Sequence, residues 1–545
     1  MRVVLAAAFV LSASCASGPS SRAEPSPSPT VTLPPHALGP QQRVAHLLNR
    51  AAFGPSPEDV ARVQSMGEAA WLAEQLSPDV DADVAHRLSG FKTLTLSVAE
   101  AFHAYPPVQQ RLKDMGVDPK KLEGDEEARE RLKKLIKENK EELPVQLLVE
   151  ATQAKLIRAV QSKRQLEEVL VDFWFNHFNV SAEKNRARWM VTAFERDAIR
   201  PHVFGRFRDL LGATAKHPAM LWYLDNWMSV RDGFEPPKGL PNAEAMPRGL
   251  NENYARELLE LHTLGVNAGY TQDDVREAAR ALTGWTIEVR PKSQAFGQFL
   301  FRPRVHDDGE KHVFGLTLPA GGGQADGEKL LDYLARHPAT ARHVAKKLCV
   351  RFVSDAPPDA LVERVAAEFL RTDGDLRATV RAIFEAPEFW SAEAVGAKTK
   401  TPLEFVVSAV RAVGTLDEVQ RALAQPLEAL GQPLYRCAPP TGYAEVAGPW
   451  VSAGALVSRI NFGLRLATGR VPGVLVELPA AQPTTEATLD AVALRVLGHP
   501  PTPATRASLL RALAARDTEA VDEVRAASPA LIAGLLLGSP DFQKQ

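Results

Sequence analysis

Apolar residues recur at every third and fourth position from Pro144 to Gly284, which is the spacing of helices that bury one face. Proline and glycine break this stretch in three places: His217-Pro218, Pro236-Pro237 and Pro247-Arg248-Gly249. The helical spacing returns in three later segments: Glu328 to Ala386, around residues 401–430, and from Thr488 onward. No internal repeat is evident, which disfavours a solenoid. The pattern predicts a mainly α fold, a multi-helix globular array.

Residues 285–320 depart from this spacing. Thr286 to Val289 and Phe299 to Phe301 are short apolar runs typical of strands, and Gly321-Gly322-Gly323 predicts a loop. We therefore expect a small β-hairpin or an irregular insertion near 285–320. Earlier in the chain, Ser56 precedes Pro57 and two acidic residues, which predicts a capped helix start.

Residues 108–143 are rich in Lys, Arg and Glu. Opposite charges three and four positions apart are typical of a solvated helix face, so this segment is predicted to be an exposed helical insertion. The chain then divides into four parts: a signal peptide (1–17), a Ser/Pro-rich tether (18–40), a helical domain that carries the insertion (41–470), and a C-terminal helical segment of the same domain (471–545).

The N-terminus has the layout of a secretory signal peptide, with Met1-Arg2, an apolar run from Val3 to Leu11, and small residues after it. Cys15 follows Leu11-Ser12-Ala13-Ser14, a loose form of the bacterial lipoprotein box with the leucine one place too far upstream. Two outcomes stay open, namely lipidation of Cys15 and plain signal-peptidase cleavage. The sequence predicts an exported protein, periplasmic or extracellular, that is either released or membrane-anchored as a lipoprotein.

Charge and hydropathy narrow the function classes. The formal charge of −2 comes from 64 basic and 66 acidic residues, which removes the positive surface that general nucleic-acid binding requires. After the signal peptide, no stretch has the eighteen uninterrupted apolar residues of a transmembrane span. Cys349 and Cys437 are the remaining cysteines, and either a disulfide between them or two buried thiols fits the sequence.

Leu250 to Gly265 is the richest candidate segment. On an α-helix, with about 100° per residue, its polar arc contains Glu252, Asn253, Arg256, Glu257, Glu260 and Thr263. His262 falls on the apolar side, about 200° from Glu260, so these two residues are not expected to bind one metal from this helix. The arc is either a surface ladder of ion pairs or part of a site. His262 is either a hydrogen-bonded core residue or a ligand.

Two further segments concentrate polar side chains. Asn176, His177 and Asn179 lie among the aromatic residues of Asp172 to Val180, and buried polar groups of this kind often surround a site. The irregular segment His306 to His312 carries acidic and basic residues, and it either binds a cation or is simply solvated.

From these segments we assign three candidate catalytic residues: His177, Glu257 and Glu260. Candidate substrate-binding residues are Asn176, Asn253, Arg256, His262, His306, Asp307 and Lys311. The expected chemistry is acid/base, with or without a divalent metal. The sequence has no Gly-x-Ser-x-Gly elbow, no Cys-x-x-Cys-His haem motif and no Rossmann fingerprint.

The chain resembles the family called domain of unknown function 1800, which is found in exported bacterial proteins. The resemblance runs through these stretches: His46 to Gly54, Phe173 to Ser181, Asn251 to Gly265 with Tyr270-Thr271, Leu282 to Trp285, His306 to Gly315, Pro402 and Arg459. It covers nearly the whole mature chain. The sequence departs from the family pattern in the insertion at 108–143 and in Tyr443, where tryptophan is common.

The resemblance implies a mostly helical fold and an exported location, and it transfers no catalytic residue. Members of the family are often encoded beside an exported family called domain of unknown function 1501, which looks like the alkaline-phosphatase and sulfatase superfamily. It therefore implies an exported partner of that kind.

Two functions stay open. One is an envelope enzyme, hydrolytic or metal-dependent, with a His/Glu/Asn pocket; this hypothesis requires His177, Glu257 and His262 to share a cavity. The other is a non-catalytic accessory protein that binds an exported partner enzyme or an envelope polymer.

Overall fold

The computed structural model describes residues 29–77, 80–114, 126–138, 143–236, 249–417, 423–517 and 528–545. The predicted signal peptide, Cys15 and the first part of the tether lie outside these ranges. Among the residues described, no helix combines the length and the apolar character needed to cross a bilayer.

Short helices form the N-terminal part of the fold: α1 (Pro40–Ala51), α2 (Pro57–Met66), α3 (Glu68–Gln75), α4 (Ala82–Leu88), α5 (Val98–Ala104), α6 (Val108–Asp114) and α7 (Glu126–Glu138). The predicted cap is confirmed, because the Ser56 side chain accepts a hydrogen bond from the Asp59 backbone N–H. On α7, Arg131 pairs with Glu127 and Lys133 with Glu130, and all four side chains are exposed.

The central helices carry most of the candidate residues: α8 (Val145–Gln161), α9 (Gln165–His177), α10 (Val191–Ala193), α11 (Phe207–Lys216), α12 (Pro218–Tyr223), α13 (Asn253–Glu257) and α14 (Gln272–Leu282). Two π-helical turns interrupt this region: Phe194–Ile199 and Leu258–His262. Short 3₁₀ turns lie at Asn185–Trp189, Arg200–His202, Asn226–Met228, Pro303–Val305 and Gly448–Trp450.

The remaining helices are α15 (Gln324–Ala335), α16 (Pro338–Phe352), α17 (Asp359–Arg371), α18 (Leu376–Phe384), α19 (Pro402–Val413), α20 (Ala424–Ala429), α21 (Ala453–Ala467), α22 (Thr485–Leu497), α23 (Pro503–Asp517), α24 (Pro529–Leu537) and α25 (Pro540–Gln543). All twelve residues of α19 are buried, and α19 contacts both α8 and α22. The mainly α prediction is confirmed.

The strands form three antiparallel pairs of three residues per strand. β1 (Trp285–Ile287) pairs with β2 (Phe299–Phe301), and β3 (Lys311–Val313) pairs with β4 (Leu316–Leu318). The segment near 285–320 therefore holds two hairpins where the sequence predicted one, because three-residue strands are too short to show a clear alternation. The third pair joins β5 (Gly414–Leu416) to β6 (Val474–Val476) across 60 residues of chain.

One large cluster of buried apolar residues extends from Val31 near the N-terminal end of the described chain to Phe542 in α25. A small second cluster contains Val84, Leu88, Ala154 and Ile157, where α4 packs on α8. The residues before and after position 470 thus contribute to the same core.

Candidate functional site

Helix α9 carries polar side chains into the centre of the molecule. Glu168, Asp172 and Asn176 are four residues apart on one face, and His177 ends the helix. Aromatic rings surround His177, with Trp174 at 5.2 Å and Phe178 at 4.5 Å between ring centroids. The side chain of His177 is only 2% exposed.

The π-helical turn Leu258–His262 orients two histidine rings. Nε2 of His177 lies 3.1 Å from the backbone oxygen of His262, and Nε2 of His343 lies 3.1 Å from the backbone oxygen of Leu261. A carbonyl oxygen only accepts hydrogen bonds, so both Nε2 atoms carry the proton and both Nδ1 atoms are left as acceptors. The ring centroids of the two histidines are 6.2 Å apart.

Helix α16 supplies the facing wall. His343 and Lys347 are four residues apart, which places them side by side on one helix face, and Lys346 and Val350 flank them. These residues and α9 enclose a cleft of about 390 Å³. Its polar lining includes Asn176, His177, His343, Lys346, Lys347 and Glu445. Phe173, Val266 and Val350 supply apolar surface, as is usual in ligand sites.

Lys347 is half-buried and differs from three fully buried lysines. The ammonium groups of Lys155, Lys311 and Lys398 lie 2.8, 2.8 and 2.6 Å from carboxylates of Asp172, Asp326 and Asp355. Lys347, by contrast, makes no hydrogen bond or ion pair with any residue that the structure describes. Burial lowers the pKa of Lys347 to about 8, although the negative charge of Glu445 acts to raise it.

The two histidines of the cleft stay neutral near pH 7. Burial is the largest effect on each, and the Lys347 charge adds to it. The pKa of His343 is lowered to about 4, and that of His177 lies well below its usual value. The Nδ1 atom of His177 is enclosed and has no partner among the described residues, while Nδ1 of His343 borders Gly265.

The segment 441–445 closes the cleft. Asn176 donates from Nδ2 to the backbone oxygen of Tyr443 at 2.8 Å and to Glu445 Oε1 at 3.2 Å, and it accepts the Tyr443 N–H at 2.7 Å. Arg351 lies 3.7 Å from the second oxygen of Glu445. Burial raises the pKa of Glu445 above its usual value.

The predicted polar arc lies outside this cleft. Glu257 and Glu260 are half-buried and do not line the cavity, and burial followed by the Glu260 charge raises the pKa of Glu257. Arg256 pairs with Glu252 at 3.3 Å, whereas Asn253 donates to the Leu224 backbone oxygen at 3.3 Å. The structure therefore does not bring these residues together with His177, and the predicted pocket shared by His177, Glu257 and His262 is wrong, because only His177 lines the cleft. The polar arc is a separate surface of the molecule.

His262 is buried, as its place on the apolar side predicts, and it packs against Phe178 at 5.0 Å between centroids. Its backbone oxygen reaches His177, but its ring does not line the cleft. Its Nε2 atom has no partner within the described chain.

His306, Asp307 and Lys311 form a second separate cluster. Lys311 donates to Asp326 at 2.8 Å, and His306 Nε2 lies 3.3 Å from the same carboxylate oxygen. Asp307 accepts two hydrogen bonds from Arg280, which lower the pKa of its carboxyl group. The Lys311 ammonium already occupies the place beside Asp326, so this cluster ties the β3–β4 hairpin to α14 and α15.

The model of the family described as "Protein of unknown function (DUF1800)" matches residues 46–544. The chain belongs to this family. The predicted membership is thereby confirmed, and the match includes every element that lines the cleft of this DUF1800 protein. No curated protein and no solved structure matches the chain.

Two of the predicted alternatives concern metals and thiols. Within the described ranges of this DUF1800 protein, no three His, Cys, Asp or Glu side chains are grouped so that they could hold a metal ion. Cys349 and Cys437 are both buried with free thiols, and burial raises the pKa of each, to about 12 and about 11.

Sequence reasoning missed His343, Lys347 and Glu445. The available signal was His343-x-x-x-Lys347 inside the predicted helical segment 328–386, which puts both residues on one helix face. That spacing is common on solvated helices, and the absence of a carboxylate partner becomes visible only in three dimensions.

Proposed function

We propose that this DUF1800 protein is an exported enzyme whose active site is the cleft between α9 and α16, and that it works by acid/base chemistry, most simply hydrolysis. The observation that carries the proposal is the unpaired Lys347 ammonium beside the acceptor Nδ1 of His343 in a cavity large enough for a small ligand. Export is supported by the N-terminal sequence, which has the layout of a secretory signal peptide.

The two residues supply complementary proton chemistry. A lysine with a pKa of about 8 is mostly protonated at pH 7 and gives up its proton readily, so Lys347 acts as the acid and stabilises developing negative charge. His343 acts as the acceptor, because the Leu261 backbone oxygen fixes its tautomer. The His262 backbone oxygen fixes the tautomer of His177 in the same way, and His177 forms part of the α9 wall of the cleft.

A substrate-free experiment tests the reactive state of Lys347. Competitive labelling with an amine-selective reagent across pH, read by mass spectrometry, compares Lys347 in the folded chain with the same lysine in the urea-unfolded chain. We expect half-maximal reactivity near pH 8 in the folded chain and near the ordinary lysine pKa of about 10.4 in the unfolded chain. Equal profiles in the two states would remove the basis of the proposal.

A substrate panel then tests the chemistry. Chromogenic carboxylic, phosphate and sulfate esters and glycosides are offered to the wild type and to Lys347→Met, His343→Phe and Lys329→Met, the last of which changes an exposed lysine outside the cleft. Removing a proton-transfer residue lowers kcat by about 100-fold or more, so turnover is lost in the first two variants and kept in the third. Turnover that survives Lys347→Met contradicts the assignment.

The accessory function has one observation in its favour, which is a run of exposed apolar side chains at the start of α21. Val451 and Val457 are 65% and 57% exposed, and Leu456 beside them is 47% exposed. Under this alternative, Val451→Asp with Val457→Asp abolishes co-purification of an exported partner of the domain of unknown function 1501 family, while Lys347→Met does not. The opposite result assigns the partner contact to the cleft.

A further inference from the structure

The interior of this protein neutralises buried lysines with carboxylates. The ammonium groups of three of these lysines, Lys155, Lys311 and Lys398, lie 2.6 to 2.8 Å from carboxylate oxygens. The carboxylates belong to Asp172, Asp326 and Asp355. Lys400 is buried as well, but its ammonium lies 3.9 Å from the centre of the Phe542 ring and does not line the cleft. Burying an unpaired charge is costly, so each pairing has a clear physical reason.

The cleft offers Lys347 no equivalent partner. Five titratable side chains line the cleft with it: His177 from α9, His343 and Lys346 from α16, and Tyr443 and Glu445 from the segment 441–445. Glu445 is the only carboxylate among them. Its Oε1 is engaged by Asn176, and its Oε2 lies 3.7 Å from Arg351 and has no hydrogen-bond partner among the described residues. The two histidines offer acceptors without charge. The half-buried Lys347 therefore faces the cleft without a carboxylate in contact with its ammonium group.

We infer that the cleft binds a small ligand through an anionic oxygen placed beside Lys347, in the role that an aspartate plays for Lys155, Lys311 and Lys398. Nδ1 of His343, one helical turn away, accepts a hydrogen bond, which favours a ligand with a hydroxyl group next to the anionic group. The ligand class is thus a hydroxylated anion such as a hydroxy acid. This inference rests on the proposed function only in taking the same cleft as the site.

Binding and proton uptake are coupled at this site. An anion stabilises the ammonium form, so the ligand binds most tightly where Lys347 is protonated and loses affinity as the pH rises above about 8. Lys329 on α15 is exposed and does not line the cleft, which makes it the control lysine.

The test uses three small probes on the full chain by isothermal titration calorimetry: acetate, glycolate, and ethylene glycol. Glycolate is acetate with one added hydroxyl, and ethylene glycol has hydroxyls without charge. We expect glycolate to bind best, acetate about tenfold more weakly and ethylene glycol not at all. Lys347→Met abolishes binding of both anions, His343→Phe reduces glycolate to the level of acetate, and Lys329→Met, outside the cleft, changes affinity less than about threefold.

Each other outcome overturns the inference. Absence of anion binding, or binding that survives Lys347→Met, removes the charge argument, and equal affinity for acetate and glycolate removes the role of His343. Circular dichroism of each variant checks that it folds. A chain that binds glycolate but turns over no ester contradicts the proposed function alone, whereas amine labelling near pH 8 without anion binding contradicts this inference alone.

Discussion

At the scale of single residues, Lys347 is expected to lower the stability of the fold. Its side chain is half-buried in the cleft without a carboxylate partner among the described residues, and the lowered pKa reflects how strongly this environment disfavours the charge. Strained or unpaired groups of this kind are typical of functional sites, where activity is retained at a cost in stability.

Replacing Lys347 should therefore stabilise the protein. We expect Lys347→Met to raise the free energy of unfolding by about 1–3 kcal/mol at pH 7, with the partial exposure of the side chain included in this range. The pKa of Lys347 is lower in the folded chain than in the unfolded chain, so the wild type gains stability as the pH rises from about 8 to about 10. The difference in free energy of unfolding between Lys347→Met and the wild type therefore shrinks over this range. Urea unfolding at pH 7 and pH 10 measures this difference, and a larger difference at pH 10 would contradict the assignment to the Lys347 charge.

Gly442 is the second residue whose effect can be predicted. It has φ +72°, and a Cβ there would collide with the backbone and side-chain oxygens of Asn176, which hold the segment 441–445. Gly431 has φ +88° with no atom within 4 Å of such a Cβ. Gly431→Ala should lower the free energy of unfolding by about 1 kcal/mol through backbone strain alone. Gly442→Ala should lower it by more and should also abolish anion binding. Chemical unfolding measures the first effect and calorimetry the second, and equal losses of stability in the two variants would contradict the role of Asn176.

The sequence identified some site residues and missed others for a physical reason. Asn176 and His177 stood out because polar groups among aromatics are unusual, and both line the cleft. Glu257 and Glu260 also looked promising, but a helix-face argument cannot tell which neighbouring element a face meets. Lys347 could not be found, because its distinguishing property is the lack of a partner from distant segments.

At the scale of elements, the helices were predictable because apolar spacing is a local property. The π-helical turn at Leu258–His262 was not, since regular rotation per residue was assumed throughout 250–265. His262 was nevertheless placed correctly on the buried side, because the regular part of the helix, α13, precedes the turn. The β5–β6 pair was missed because its partners are far apart in sequence.

Gly265 lies three residues after the π-helical turn and allows a prediction at the scale of elements. Gly265 has φ +86°, and a Cβ there would lie 2.8 Å from Nδ1 of His343. Gly67 has the same φ but no neighbour within 4 Å of its Cβ position. Gly265→Ala should remove the preference for glycolate over acetate, because the new methyl group covers Nδ1 of His343. Gly67→Ala introduces a similar backbone strain but should leave this preference unchanged. Calorimetry with both anions decides, and an unchanged preference in Gly265→Ala would mean that His343 does not contact the hydroxyl.

At the scale of the whole molecule, buried neutral histidines make the fold sensitive to acid. Burial lowers the pKa of His46 and His262 to about 3, and it lowers that of His177 well below its usual value. The unfolded chain takes up protons below about pH 6.5 while the folded chain does not, so stability falls as the pH drops, by up to about 2 kcal/mol per residue at pH 5.

We therefore expect the melting temperature to fall steeply between pH 6.5 and pH 5. Differential scanning fluorimetry measures this slope. His262→Phe, whose ring would lie among Phe178 and Tyr254, should make the slope shallower. A slope that His262→Phe leaves unchanged would assign the acid sensitivity to other groups.

Export is also a property of the whole molecule, and it stays a prediction. Expressed in a bacterium with its own N-terminus, the chain should reach the envelope fraction. If Cys15 is lipidated, Cys15→Ser moves the protein from the membrane pellet to the soluble envelope fraction, whereas Ser14→Ala as the control does not. Identical fractionation of the wild type and Cys15→Ser would favour plain cleavage.

The β5–β6 pair has a consequence for how this chain can be divided. Gly414–Leu416 obtains its strand partner only from Val474–Val476, beyond the boundary at residue 470 that the sequence suggested. A chain truncated there would expose an unpaired edge, with free N–H and C=O groups, beside the fully buried helix α19. Unprotected edges of this kind template aggregation. The residues after position 470, about one seventh of the chain, thus keep this strand paired and protect the rest of the fold from aggregation.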